Sequence, residues 1–572
     1  MGGPRLPLVP GSCRLGFGAM GLSRAGIDEA DAVNLLHRAL DSGIRFIDSA
    51  DVYAPSADEI GHNERLIAKA LASWGGDRAE VIVATKGGLR RDAQGWFPDG
   101  RARHLRGACE ASLRALGADA LDLYQLHAID VKSRTTTYRT LESLLREGKV
   151  LRLGLCNVSL EELEEALRHF PVTAVQVSLS PIDLTPLKNG VASFCQRHGI
   201  SLIAHSPLGG HRNRHRIERD PVLASMARRR GASCAEIALA WLLSIKGVIP
   251  IPGATKLASL ESSLRSGDLV LTAEESDELS QAYSVSRKTA LPMSTTDGEV
   301  VLFVGYPGAG KTTVARAWEE RGYSRLNRDE RGGTLRDLLE ALDDRLGRGE
   351  RKLVLDNTYP RRASRYDVIE AARRHGVAVR CVWLRTSLQQ AQLNAATRIV
   401  QRYGRLLEPE ELRKLSRADP NAFTPSAQFR YRRELEPPRP EEGFVEIEEL
   451  DFERDPPPAR SGRAVFFEPR EKGIRPKLHR YASAGFRLLG VSFQPGRRDR
   501  TYFDSGVEVH VCNHVPPISC WCRKPLPGLG VVLIEKYGLA PEKCLVVVSS
   551  SADKGFAERL GIPTLAASEL ER

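Results

Sequence analysis

Three groups of residues in this 572-residue chain have the types and spacing to do chemistry. The first lies in three separated segments: Asp48 and Tyr53 in "FIDSADVY", Lys86 in "VATKGG" and His127 in "YQLHAID". Carbonyl reduction needs an acid to protonate the developing alkoxide, and a tyrosine whose pKa is lowered by a nearby ammonium suits that task. Asp48 would hold Lys86 by charge pairing, and His127 would orient the carbonyl oxygen. The second group is "GYPGAGKTT", Gly305 to Thr313, set between the apolar run "VVLFVG" and a helical stretch. Backbone N–H groups of a turn built on Gly305, Gly308 and Gly310 cradle the phosphates of ATP, Lys311 reaches the β- and γ-phosphates, and the Thr312 hydroxyl ligates Mg²⁺. Downstream, Asp329 in "SRLNRDE" is a candidate base for an acceptor hydroxyl, or else a helix cap. Asp356 and Asn357 follow another apolar run. The third group, Cys512, His514, Cys520 and Cys522, spaced C-x-H-x₅-C-x-C, supplies the four ligands of a closed, structural Zn²⁺ site.

Elements must carry these residues, and the chain supplies them in alternation. Over residues 1–285, short β-rich runs ("IRFIDSA", "EVIVATK", "LDLYQLH", "VLRLGLC", "TAVQVSLS", "ISLIAHS", "GVIPIPG") alternate with amphipathic helical stretches. Such units predict an α/β fold, a (β/α)₈ TIM barrel with its site at the strand C-terminal ends, which is where the first group falls. Residues 286–298, within the polar "SVSRKTALPMSTTDGE", read as a linker. A second α/β domain, holding the P-loop, spans 299–454. The proline-rich "DPPPARSG" gives a stiff linker over 455–461, and residues 462–572 form a small Rossmann-like domain.

Apolar residues make up 42%, charged residues 27% and aromatics 6%, which fits a globular chain and excludes disordered and fibrous classes. No apolar run reaches the length of a membrane span, and the first residues lack the pattern of a secretory signal. A cytoplasmic location and no membrane partner are therefore expected. Of the ten cysteines, only Cys512, Cys520 and Cys522 cluster. Cys13, Cys109, Cys156, Cys195, Cys234 and Cys381 are spread out, as reduced, buried thiols are. A formal charge of +11 permits a polyanionic partner without selecting one. Arginines gather at 361, 362 and 365, at 373 and 374, and at 430, 432 and 433, interleaved with Tyr366, Phe429 and Tyr431. That mixture suits phosphate contacts and base stacking. No motif names the carbonyl substrate or the oligomeric state.

Together with Asn63, Glu64 and the phrase "IPGATK", the first group resembles the aldo-keto reductases over the whole barrel segment. The resemblance implies an NADPH-dependent carbonyl reductase in which Tyr53 is the general acid and Asp48, Lys86 and His127 support it. It also implies Asn157 and Gln176 at the nicotinamide carboxamide, "SPLGG" (Ser206, Leu208, Gly209 and Gly210 among them) near the pyrophosphate, and Lys256 facing the 2′-phosphate. This chain departs from the pattern at Cys156, where serine is common, and at Ser262 and Ser263, where glutamate and asparagine are common.

The set "GYPGAGKTT", "NRD", "DNT" and "EGFVEIEELDF" resembles the kinase domain of polynucleotide 5′-hydroxyl kinases. This implies nucleic-acid 5′-OH ends as partner, Asp329 as general base, Asp356 and Asn357 near the acceptor, and Arg398 as lid arginine, with Arg402 and Arg405 as competitors. Ala395 and Ala396 stand where the related kinases are more polar. Kinases of related build also act on small molecules and proteins.

Residues 462–572 look like a haloacid-dehalogenase-type phosphatase related to histidinol-phosphate phosphatases. The positions of that family's nucleophile and acid/base hold Glu468 and Arg470, Phe493 stands for an asparagine and Ser550 for a metal-binding aspartate, while Lys524 and Asp553 are kept. The longer glutamate misplaces an in-line attack and arginine cannot act as an acid near neutrality, so an inactive domain is expected, with a repurposed phosphate-binding surface as second reading. A reductase joined to a 5′-hydroxyl kinase is the expected whole. Its alternatives are a reductase with a small-molecule kinase in metabolism, and a redox sensor or scaffold with vestigial chemistry.

Overall fold

The computed structural model describes residues 8, 15–92, 95–130, 133–283, 298–416, 419, 421–451, 459–471, 473–517 and 519–571, without the side chains of Asp329 and Glu571. They form two compact units that divide between residues 288 and 289. Cys13 and most of the two expected linkers lie outside the described residues.

In the first unit, eight parallel strands follow one another through one sheet: Phe17–Gly18, Phe46–Asp48, Ile82–Gly87, Leu123–Leu126, Leu153–Cys156, Val172–Ser178, Ser201–His205 and Val248–Pro250. The Gly16 N–H donates to Pro250 O (2.9 Å) and the Gly18 N–H to Pro252 O (3.2 Å), so the first edge meets the last. The sheet thus curls as in a TIM barrel. Phe46, Ala84, Leu123, Ala174, Ile203 and Ile249, from six of the eight strands, are buried together. Such filling leaves the strand ends as the place for chemistry. The surrounding helices start where their sequences cap them. Ser159 with Glu162, Ser233 with Glu236 and Thr272 with Glu275 form capping boxes that satisfy first-turn N–H groups.

The second unit holds two sheets. In one, five parallel strands run in the order Ser324–Leu326, Leu353–Leu355, Glu299–Val304, Ala378–Leu384, Glu446–Leu450. In the other the order is Thr501–Asp504, Val507–Cys512, Arg487–Phe493, Ala464–Phe467, Leu545–Val548, Thr564–Ala566, all parallel except the first pair. In each sheet the first strand in sequence lies inside, with later strands on both sides. A crevice opens at the C-terminal end of such a strand, and there the chain places the P-loop and Glu468, respectively.

The two sheets share a core. Ala395, Ala396, Ile399 and Val400 on the helix Leu388–Tyr403 pack with Trp521, Leu526, Val531 and Leu560. Small apolar residues at 395 and 396 are what that close packing requires. No helix among the described residues is long and apolar enough to cross a membrane.

Candidate functional site

The barrel strands bring Asp48, Tyr53, Lys86 and His127 into one cluster. Lys86 is fully buried, and its Nζ donates to Asp48 Oδ2 (2.7 Å), Ser49 O (2.7 Å) and Tyr53 Oη (3.3 Å). The second Asp48 oxygen accepts from Gln176 Nε2 (2.6 Å) and Gln125 Nε2 (3.4 Å). The carboxylate is thereby held on both sides. The Tyr53 ring meets His127 edge-on, with centroids 5.7 Å apart. Its loop is fixed by Arg91, which donates to the carbonyls of Val52 (3.2 Å), Ala54 (2.6 Å) and Pro55 (3.2 Å). Asn63 adds a buried tie, accepting from Ser49 Oγ (2.8 Å) and donating to Ala19 O (2.9 Å).

Burial sets the resting charges. It pushes the Tyr53 phenol up to about 12, although Lys86 pulls the other way. The lowered resting value anticipated from the lysine alone is therefore corrected: desolvation outweighs the ammonium, and Tyr53 rests protonated. Burial disfavours the Lys86 ammonium, but Asp48 and Tyr53 more than offset this and raise its pKa above the ordinary lysine value. Burial, and then Lys86, hold His127 well below the usual imidazole range, so its ring is neutral. The arrangement offers a proton donor, a cation next to its oxygen, and a neutral imidazole.

In the second unit, Gly308 (φ 89°) and Gly310 (φ 97°) take left-handed backbone that only glycine adopts readily, and Lys311 opens the following helix. Lys311 Nζ donates to Gly305 O (3.0 Å) and Tyr306 O (2.7 Å). A cleft of ≈ 420 Å³ is lined by Gly308, Gly310, Lys311, Thr312 and Thr313 together with Asn327, Arg328, Asp356, Asn357, Arg398 and Arg430. Of the three candidate lid arginines, Arg398 lines this cleft, whereas Arg402 pairs with Asp419 (3.1 Å) and Arg405 with Glu411 (2.7 Å). Asp356 Oδ2 accepts from Arg325 Nη2 (2.7 Å) and Asn327 Nδ2 (2.9 Å). Asp329 lies in the short helix Arg328–Arg331, and its side chain is outside the described residues.

Four of the eight clustered arginines are committed to carboxylates within the fold. Arg365 is fully buried and bidentate to Glu442 (2.7 Å each), while Arg361 pairs with Glu434 (2.9 Å), Arg373 with Glu370 (2.8 Å) and Arg374 with Asp343 (2.8 Å). Of the gathered arginines and interleaved aromatics expected to meet phosphates and bases, Arg430 and Tyr431 line the cleft.

Cys512, His514, Cys520 and Cys522 converge, with all four ligand atoms within 4.8 Å of one another. Tetrahedral thiolates at a Zn–S distance of about 2.3 Å stand about 3.8 Å apart. Cys512 Sγ lies 3.6 Å from Cys520 Sγ and 3.8 Å from His514 Nδ1, so three sulfurs and a nitrogen fit zinc in number, type and spacing. Nearby, Lys524 Nζ donates to Asp553 Oδ1 (2.5 Å) and Glu468 Oε2 (3.3 Å), and Ser492 Oγ donates to Glu468 Oε1 (2.6 Å). These positions satisfy one another.

Residues 14–284 match the profile of the aldo/keto reductase family. The chain is 33% identical over 270 residues to an uncharacterized oxidoreductase of Schizosaccharomyces pombe, covering 46% of this chain and 83% of that protein. The chain belongs to the aldo/keto reductase family. A probable aldo-keto reductase of Glycine max is 30% identical over 310 residues, covering 48% of this chain and 86% of that one. A crystal structure of an aldo/keto reductase from Klebsiella pneumoniae in complex with NADP and acetate aligns at 26% identity with a TM-score of 0.41, covering 49% of this chain and 93% of that one. Beyond the aldo/keto reductase domain, residues 300–415 match the profile of an AAA domain.

Within the aldo/keto reductase domain, Asn157 (φ 55°) and Ser206 (φ 52°) sit in left-handed backbone just past the fifth and seventh strands. Asn157 Oδ1 lies 3.1 Å from His205 Nε2, and the Gln176 amide is turned to Asp48. Ser206, Leu208 and Gly209 lead into the helix Gly210–Glu218, which has no side-chain cap at its N-terminus and carries His211, Arg212, Arg214 and Arg216. Lys256 is exposed at the start of the helix Leu257–Asp268, where Ser262 Oγ donates to Glu236 Oε1 (3.0 Å).

Two members of the cluster escaped the sequence reading. Gln125 is a polar residue inside the otherwise apolar "LDLYQLH". Trp96, 45% exposed, has its ring 5.8 Å from Tyr53 and 6.1 Å from His127. It stands on the hairpin Leu89–Asp92/Gly95–Pro98 directly after the Lys86 strand. An aromatic in a loop at a strand C-terminal end was the available signal.

Proposed function

We propose that the barrel is an NADPH-dependent carbonyl reductase, that the P-loop domain transfers phosphoryl groups from ATP with Mg²⁺, and that residues 462–572 are a zinc-stapled, phosphatase-like domain without turnover. The observation that carries the first reading is Lys86 Nζ bonded to both Asp48 and Tyr53 in a buried site. NADPH, when bound, supplies the hydride. Tyr53 Oη gives the proton to the substrate oxygen, and Lys86, 3.3 Å away, stabilises the phenolate left behind. Asp48 and Gln176 keep Lys86 oriented, and the neutral His127 ring is suited to donate a hydrogen bond to the carbonyl. Residues fit the cofactor at two further places. The uncapped N-terminus of the basic helix Gly210–Glu218 suits a pyrophosphate, and exposed Lys256 suits a 2′-phosphate.

For phosphoryl transfer, the P-loop N–H groups and Lys311 would hold the phosphates, Thr312 would hold Mg²⁺, Arg398 would meet the charge on the transferring group, and Asp329 would serve as base. A nucleic-acid 5′-hydroxyl end is the proposed acceptor, supported by Arg328 and Arg430 at the cleft. A small hydroxyl compound is the second reading, favoured by the internal pairing of Arg361, Arg365, Arg373 and Arg374. The full chain with labelled ATP and Mg²⁺ should label a 5′-OH oligonucleotide. Label on small alcohols but not on the oligonucleotide would replace the first acceptor by the second. In the same preparation, NADPH fluorescence should change saturably, and an unchanged signal would sink the reductase reading.

A further inference from the structure

The loop that carries Cys520 and Cys522 packs, through Trp521, on the helix Leu388–Tyr403, which brings Arg398 to the phosphoryl-transfer cleft. Glu408, which opens the short helix Pro409–Leu415, lies 3.0 Å from His514 Nε2 and also accepts from both terminal nitrogens of Arg500; Arg500 Nη2 is itself 3.0 Å from Nε2, but with its hydrogens committed to Glu408 the carboxylate is the one acceptor next to that ring nitrogen. A histidine ligates through an unprotonated nitrogen, and a carboxylate that accepts from the other ring N–H fixes that tautomer. Here Nδ1 is the nitrogen aimed at the cysteines, 3.1 Å from Cys522 Sγ. The carboxylate comes from the P-loop domain's own segment, two residues beyond Leu406, which packs on Cys512, Cys520 and Cys522.

From the same loop, buried Trp521 donates through Nε1 to Phe423 O (2.8 Å) and packs in the core with Ala395, Ala396 and Ile399 of the helix Leu388–Tyr403. Arg559 Nε adds a bond to Gln392 Oε1 (2.6 Å). That helix is tied in turn to the P-loop, because Asn394 Nδ2 donates to Gly308 O (3.0 Å) and a Cβ at Gly308 would meet Ala391 O at 2.6 Å. Arg398 rises from this helix into the cleft.

We infer that Glu408 is a positioning residue for His514, and that the metal-bound loop, through Trp521, holds the helix bearing Arg398 in place for phosphoryl transfer. This rests on the zinc and phosphoryl-transfer readings above. It also gives the C-terminal domain a use that needs none of the missing phosphatase acids: it is the clamp on its neighbour's helix.

Three readouts on the full chain test this: zinc retention against a chromophoric chelator, amide hydrogen exchange over residues 388–403, and the kinetics of ATP-dependent transfer. Glu408→Ala is expected to weaken zinc retention about 10–100-fold. Exchange in 388–403 should rise, and kcat for transfer should fall while KM for ATP stays within about twofold, the pattern of a group that acts in the transition state. Glu408→Gln, which keeps an acceptor for His514, should recover part of the zinc retention. If Glu408→Ala does not fold, wild-type chain treated with chelator should show the same rise in exchange at 388–403. Wild-type zinc retention in Glu408→Ala, or a change in exchange confined to 512–522 after chelation, would overturn the coupling. Absence of transfer to any acceptor by wild type would instead remove the phosphoryl-transfer reading, with the zinc and exchange arms still deciding the link.

Discussion

At Tyr53 and His127, shifts of opposite sign have one outcome. Both are buried, and burial keeps each neutral, raising the phenol and lowering the imidazole. For His127 the sign of the stability effect follows directly. The unfolded histidine takes up a proton below about pH 6.5 while the folded one does not, so the unfolded state binds more protons there and stability falls as pH falls. His205, likewise lowered by burial, acts in the same direction. For His127, held well below the usual range, the barrel should lose roughly 1 kcal/mol for each pH unit below that value. Calorimetric melting of wild type and His127→Asn between pH 7 and pH 5.5 checks this, with the variant expected to show the shallower decline. That Asp48, Tyr53, Lys86 and His127 would lie together was legible in the sequence because each is a polar residue at the end of a barrel-strand run. The resting state of Tyr53 was not, because burial is a property of the whole barrel rim and no local pattern reports it.

Elements show a similar division. Seven barrel strands are plain as β-rich runs, but Phe17–Gly18 spans two residues, too few for any periodicity to mark. The alanines at 395 and 396 looked like a loss of polar function and prove to be an interface, which only the packing partner, Trp521 with its neighbours, explains. The arginine clusters carry the same lesson, since a sequence does not distinguish a guanidinium in water from Arg365, buried against Glu442. Removing one partner of such a pair strands a buried charge. Arg365→Ala should therefore destabilise the second unit by about 3–5 kcal/mol in denaturant unfolding, far beyond the cost of truncating an exposed arginine.

On the scale of the whole molecule, the chain carries an aldo/keto reductase domain in one compact unit and, in a second, two sheets that share a core around the helix Leu388–Tyr403. Alternating patterns and a polar stretch led to an expected first domain of residues 1–285, and the first compact unit runs to residue 288. The shared core could not be read in this way, because it joins apolar surfaces more than a hundred residues apart in sequence. The central claim is that the barrel performs reduction with Tyr53 as proton donor, rather than sensing a cofactor. The most direct test is NADPH oxidation by the full chain over a panel of aldehydes and ketones, wild type against Tyr53→Phe, with NADPH binding measured in parallel. The account predicts turnover by wild type, a loss of at least about 100-fold in kcat in the variant, and NADPH affinity retained. Equal turnover by Tyr53→Phe, or NADPH binding by wild type without reduction of any carbonyl, would contradict it.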